Sequence, residues 1–296
     1  MTHIYAILGP TATGKSEVAL ALAEKHDLPV VSVDSMQVYR GLDIGTAKPS
    51  RAEQARVRHH MIDLVDPEFS YSVAEFQETA RQVLAREERV LIVGGSGLHF
   101  RAIVDPLEFP PTDPEVRADV EAMADPVAVL VGADPDAGQA VDLQNRRRVV
   151  RALEILHLTG QSPSARLRGR NREAVGQYQS LLEFKAVGLD SGESLGTLIH
   201  QRVDKMRSAG WWEEAARIRP RLGPTAGAAL GYRELLEAQA GRRPAENVWL
   251  DIKSATRALA RRQRTYFRRD PRIDWLPWEG ELTARTSAVE ARLGIE

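Results

Sequence analysis

Apolar and polar positions along the first hundred residues follow two alternating periods. His3-Ile4-Tyr5-Ala6-Ile7-Leu8 is apolar throughout after its first residue, the pattern of a strand covered on both faces. The amphipathic run from Glu17 to Lys25 predicts a helix. Pro29-Val30-Val31-Ser32-Val33 predicts a second strand that stops at Asp34. Ser72 to Glu87 predicts another helix, with Ser72 as its cap and Glu75 three residues on. Arg89-Val90-Leu91-Ile92-Val93 reads as a buried parallel strand ending in Gly94-Gly95-Ser96-Gly97. Strands that run into polar or glycine-rich loops at their C-terminal ends fit an open parallel sheet with its site at that edge.

The pattern changes after Asp105. Asp105 to Asp113 is proline-rich (Pro106, Pro110, Pro111), as in a hinge. From Asp113, a helix cap followed by Pro114, the chain is helical in pattern to about Glu183 with little strand signal. Phe184-Lys185-Ala186-Val187-Gly188-Leu189 then predicts a strand, and helices follow to about Arg269. The expected fold is α/β: residues 1–112 and 183–296 form a core with C-terminal helices, and 113–182 form a helical insertion.

Composition narrows the chemistry. With 43% hydrophobic and 27% charged residues the chain reads as globular. The absence of cysteine removes disulfides, thiolate metal sites and cysteine nucleophiles. The first strand begins by His3 and no apolar run reaches spanning length, so the expectation is a cytoplasmic protein without a membrane segment. Net charge is −1, but the positive charge is clustered. Residues 145 to 172 hold eight arginines against Glu154, with Glu173 just beyond, and residues 257 to 272 hold seven against Asp270.

Gly9-Pro10-Thr11-Ala12-Thr13-Gly14-Lys15-Ser16 is G-x-x-x-x-G-K-[ST] between a predicted strand and a predicted helix. Backbone N–H groups at a helix N-terminus cradle phosphate oxygens, the lysine reaches the outer phosphates, and the serine hydroxyl suits Mg²⁺. Asp34 faces that loop if the sheet is doubly wound. There it can hold Mg²⁺ through water, accept a proton, or simply cap Asp34-Ser35. The loop Gly41 to Pro49 suits either an anionic partner or plain flexibility. Arg117 suits a charge-stabilising lid or a solvated helix face, and His59 and His60 suit either a site or the framework. Arg257, Arg261, Arg264 and Arg268 share one helix stripe with Gln263, Tyr266 and Phe267 interleaved. That pattern fits RNA contact or a solvated face over core aromatics. The run Asn145-Arg146-Arg147-Arg148-Val149-Val150-Arg151 tips the balance toward a nucleic-acid partner.

Taken in order, several blocks resemble the bacterial tRNA dimethylallyltransferase (tRNA isopentenyltransferase) family. They are GPTATGKS at 9–16, SVDSMQVYRGLDIGTAKP at 32–49, HHMID at 59–63, VGGSGLHF at 93–100, DPEVR at 113–117, NRRRVVRALEI at 145–155, ALGYRE at 229–234 and RRQRTYFRR at 261–269. Ser96 stands where the family usually has Thr, His99 where Tyr is usual, and Tyr266 in place of a frequent Trp; 123–143 matches poorly.

The resemblance implies a P-loop NTPase-like core with a helical insertion, and transfer of a dimethylallyl group from its diphosphate to N6 of adenosine 37 in tRNA, with Mg²⁺. Gly9 to Ser16 would hold the diphosphate, with Ser16 on the metal. Asp34 would be the base, with Thr11 and Arg117 also catalytic, and Ser35, Met36 and Gln37 would line the target base. Ser96 and Arg117 would meet the substrates. Arg147, Arg148 and Arg151, with Gly231, Tyr232 and Arg233, would meet tRNA, as would the stripe Arg257, Arg261, Arg264 and Arg268. Site roles for Arg202, on the diphosphate, and His59 are also implied. The expected partners are the anticodon stem-loop and dimethylallyl diphosphate, and the expected state is a monomer. Two other readings remain open on the residues alone. A small-molecule P-loop kinase shares the loop and the aspartate, and a non-catalytic RNA-binding switch accounts for the arginines.

Overall fold

The structure, a computed structural model, describes residues 2–278 and 280–295. Its chain contacts divide into two units: one takes in the chain up to Val104 and again from Leu182, the other Asp105–Leu181.

The first unit is built on a six-stranded sheet of β1 (His3–Leu8), β2 (Val30–Val33), β3 (His59–His60), β4 (Arg89–Gly94), β5 (Phe184–Leu189) and β6 (Ile273–Leu276). Its order is β3-β2-β4-β1-β5-β6, and every pair is parallel. The uninterrupted apolar run of β1 follows from helices on both faces. Tyr5 and Ile7 pack with Val18 and Leu22 of the Lys15–His26 helix and with Val289 and Leu293 of the Leu282–Leu293 helix. Ile4, Ala6 and Leu8 face Phe76, Phe100, Ile199 and Ala260 on the other side. The Val73–Leu84 helix starts in a complete capping box between Ser72 and Glu75, worth about 1 kcal/mol.

Register brings three loops to one edge. Leu8 pairs with Gly94, and Val33 pairs with Gly94 from the other side. The chain segments that leave β1, β4 and β2 therefore emerge side by side, about 5 Å apart per strand. This is the carboxyl edge at which open α/β sheets place their sites.

The second unit is helical. Asp113 caps the Pro114–Glu121 helix through the N–H groups of Glu115 and Val116, and Asn145 caps the Arg146–Thr159 helix through Arg148 N–H. Val120, Leu130, Val149, Val150 and Leu153 form its core.

Candidate functional site

The segment after β1 turns back on itself to start a helix. Gly14 sits at φ 77°, a conformation that favours glycine, and its amide precedes the first helical residue, Lys15. Thr13 Oγ1 donates to Pro10 O at 3.0 Å. The Lys15 ammonium donates to the same carbonyl and to Thr13 Oγ1 at 3.3 Å. Lys15 is buried, and burial with the nearby Arg202 charge pushes it down to about 7, while Asp34 works the other way. Ser16 is exposed at the start of the helix, with no hydrogen-bond partner for its hydroxyl among the described residues.

Asp34 follows the last residue of β2. Its Oδ1 accepts the Met36 N–H at 2.8 Å. Burial raises its pKa, against the Met36 and Gln37 N–H groups and the charges of Arg202 and Lys15, which lower it. Arg202, half-buried on the Leu195–Ser208 helix, is coupled in turn to Asp34 and Glu17. Lys15, Asp34 and Arg202 thus form one electrostatic group drawn from three segments.

Several contacts that hold this group are invisible to local pattern. The Thr11 N–H donates to Gln263 Oε1 at 2.9 Å, across 252 residues. The Gln263 amide lies so close over Gly95 that a Cβ there would fall 2.5 Å from Nε2. From the other side, Trp278 Nε1 and the Arg285 guanidinium donate to Thr13 O at 3.2 and 3.3 Å, with the guanidinium 5.0 Å over the Trp278 ring. The only sequence signal for Gln263 is a neutral amide among arginines; Trp278 and Arg285 carry none.

The other expected site residues are distributed as follows. Gln37 is engaged inside the fold: its Oε1 accepts from Ser32 Oγ at 2.7 Å and its Nε2 donates to Thr46 O at 3.1 Å. Ser35 is half-buried, and Met36 is half-buried against the core. Ser96 N–H donates to Val33 O at 3.1 Å, so Ser96 stands beside the Asp34 end of β2. His59 does not join the group. It pairs in register with Val30, at the opposite end of β2, about 13 Å along the strand from Asp34. Its Nδ1 binds Val57 O at 2.8 Å.

The arginine clusters are divided in use. Arg264 binds Asp190 at 2.6 Å, and Arg268 reaches the same carboxylate at 3.4 Å while stacking 4.0 Å over Trp275. Arg257 and Arg261 are exposed and unpaired among the described residues. In the Asp105–Leu181 unit, Arg151 is taken up by Pro110 O, Pro111 O and Glu154, and Arg117 by Glu154 at 2.8 Å. Arg147 and Arg148 are exposed and unpaired among the described residues. Gly231 and Tyr232, expected to meet tRNA, lie inside the fold. Both are buried, and the Tyr232 hydroxyl donates to Glu214, which also accepts the Ile44 and Gly45 N–H groups. Tyr232, which also accepts the Gly45 N–H at 3.2 Å, and Glu214 together hold the 43–45 loop. Arg233, beside them, is exposed and pairs with Glu234.

A parallel sheet with a phosphate loop after its central strand, and a carboxylate after the next strand in sequence, defines a P-loop NTPase-like fold. The comparisons with known proteins narrow that class. Residues 37–270 match the model of the IPP transferase family. A tRNA dimethylallyltransferase of Bifidobacterium adolescentis is 42% identical over 289 residues, covering 92% of this chain and 84% of that protein. One from Streptomyces avermitilis is 42% identical over 288 residues, covering 93% and 90%. The solved full-length tRNA isopentenylpyrophosphate transferase of Bacillus halodurans superposes with a TM-score of 0.69 at 31% identity, covering 99% of this chain and 97% of that one. The chain belongs to the IPP transferase family.

Proposed function

We infer that this chain is a tRNA dimethylallyltransferase, moving a dimethylallyl group from its diphosphate to an exocyclic adenine amine in tRNA, at N6 of adenosine 37. The observation that carries the chemistry is that the register of β1 and β2 against β4 brings Asp34, after β2, to the same carboxyl edge as the loop that ends in Lys15, after β1, with the Arg202 charge acting on both. A carbon–nitrogen bond forms and the carbon–oxygen bond to diphosphate breaks, the electron pair of that bond leaving on diphosphate. Lys15, Arg202 and the loop N–H groups stabilise the departing charge. The nitrogen gives up one proton, and Asp34 accepts it. The burial that raises the Asp34 pKa makes it the better acceptor. The base is turned out of its loop to reach this edge, and RNA contacts offset that cost. Arg257, Arg261, Arg147 and Arg148, exposed and unpaired among the described residues, are suited to those contacts.

Mg²⁺ fits the residues in the manner of a phosphate loop. The Ser16 hydroxyl is exposed and unengaged, a hard oxygen donor, and no cluster of three or more His, Asp or Glu side chains suited to a metal occurs among the described residues. Ser16 and the diphosphate oxygens would hold the ion, which would neutralise leaving-group charge. No helix among the described residues is long and apolar enough to cross a membrane.

Incubation with radiolabelled dimethylallyl diphosphate and tRNA lacking the modification, without ATP, is expected to label the RNA. Label that stays in the donor, with phosphate passing from ATP to a small molecule instead, would return the kinase reading, which the family membership disfavours. Asp34→Asn is expected to lower transfer by about 10²–10⁴-fold while tRNA still binds.

A further inference from the structure

Ser96 and His99 form a hydrogen-bonded pair at the same edge, and the chemistry above leaves His99 unused. Ser96 is fixed beside Asp34 by its N–H bond to Val33 O. His99 lies one turn on, in the Gly97–Val104 helix, and its Nδ1 stands 2.7 Å from Ser96 Oγ. The ring is held in place: it is 8% exposed and meets Phe76 edge-on, with centroids 4.6 Å apart and planes at 89°. Burial pushes the imidazole down to about 4, so it is neutral at neutral pH and has one ring nitrogen able to accept. A serine hydroxyl at the mouth of a site rotates freely unless a fixed group claims its hydrogen. With Nδ1 as that group, the O–H points at the ring and the oxygen lone pairs face away from it.

We propose that His99 is a positioning residue that binds the Ser96 hydroxyl hydrogen and so turns Ser96 Oγ into a fixed acceptor for the exocyclic amine of the target adenine. An amine carries two hydrogens. Asp34 takes one as a proton, and Ser96 holds the other, which aligns the nitrogen lone pair on the allylic carbon. This rests on the prenyl-transfer reading and adds to it a group that orients the nucleophile.

Two substitutions separate positioning from packing. His99→Phe keeps a ring against Phe76 and deletes Nδ1; His99→Asn loses the ring and places an amide oxygen near where Nδ1 stood. Single-turnover transfer is measured for wild type, both variants, Ser96→Ala and the Ser96→Ala/His99→Phe double variant. His99→Phe is expected to slow transfer about tenfold, the worth of one oriented hydrogen bond, with KM for dimethylallyl diphosphate within about twofold of wild type. His99→Asn recovers most of the rate, and the double variant is no slower than either single one. A His99→Phe protein at wild-type rate, a His99→Asn protein slower than it, or losses that multiply in the double variant overturn the inference while leaving the function intact. A wild-type chain that transfers nothing overturns the function and the inference together.

Discussion

Lys15 and Lys48 are both buried lysines in segments that leave strands of one sheet, at 8% and 9% exposure, yet their surroundings differ in kind. The Lys48 ammonium donates to Tyr39 O at 2.7 Å and pairs with Asp43 at 2.7 Å and Asp63 at 2.6 Å. Lys15 donates only to the Pro10 carbonyl and Thr13 Oγ1, with the Arg202 and Asp34 charges nearby and no carboxylate within ion-pair distance among the described residues. A buried cation with two carboxylates is a rivet for the 41–49 loop. One surrounded by neutral acceptors is electrostatically strained and favours an arriving anion. The same contrast runs through the arginines. Arg264 and Arg268 are riveted to Asp190, whereas Arg257 and Arg261 are not.

Lys15→Ala tests this most severely: on the proposed mechanism it removes a donor to the leaving group, and kcat/KM for prenyl transfer is expected to fall on the order of 10³-fold. Its melting temperature should hold or rise, since a desolvated charge is removed. Lys48→Ala should do the reverse, costing on the order of 2 kcal/mol in denaturant unfolding and changing transfer mainly through that loss. The figure is kept below that of a fully buried pair because Asp43 is half exposed. If the two variants behaved alike in both assays, the distinction would collapse.

Among the arginines, Arg257→Glu with Arg261→Glu should raise KM for tRNA about tenfold and flatten its log–log salt dependence by roughly 0.7–0.9 per neutralised contact. Arg264→Glu should instead appear first as lost stability, read in the same unfolding assay. The smallest effect concerns pH. An anion beside Lys15 raises a pKa that stands at about 7 in the free protein, so binding takes up a proton above pH 7. Diphosphate affinity should therefore fall by a few-fold per unit as pH rises from 7 to 9, with proton uptake in calorimetry using buffers of different ionisation enthalpy. Lys15→Arg, permanently charged, should abolish the Lys15 part of that slope.

What could be read from sequence was what local chemistry decides. The run of β5 over Phe184–Leu189, the Ser72 cap and the Asp113–Pro114 helix start all emerge where the side chains dictate them. So does the loop from Gly9 to Ser16, whose glycine and lysine spacing carries its own geometry. The two-residue strand β3 and the late strand β6 have too little apolar pattern of their own, and neighbours recruit them. Of the candidate site, the loop and the aspartate after β2 were legible as elements of one sheet edge. The site was not legible where the partner lies far along the chain. No periodicity tells Arg264, which finds Asp190, from Arg261, which finds no partner among the described residues, or says that Tyr232 turns inward to Glu214.

The grip of Trp278 and Arg285 on the Thr13 carbonyl has a consequence for biosynthesis. Residue 285 is synthesised 272 residues after residue 13. A nascent chain can assemble β1, β4 and the Lys15 helix long before the brace behind its phosphate loop exists. A product cut short before Arg285 would therefore fold around a loop without its backing.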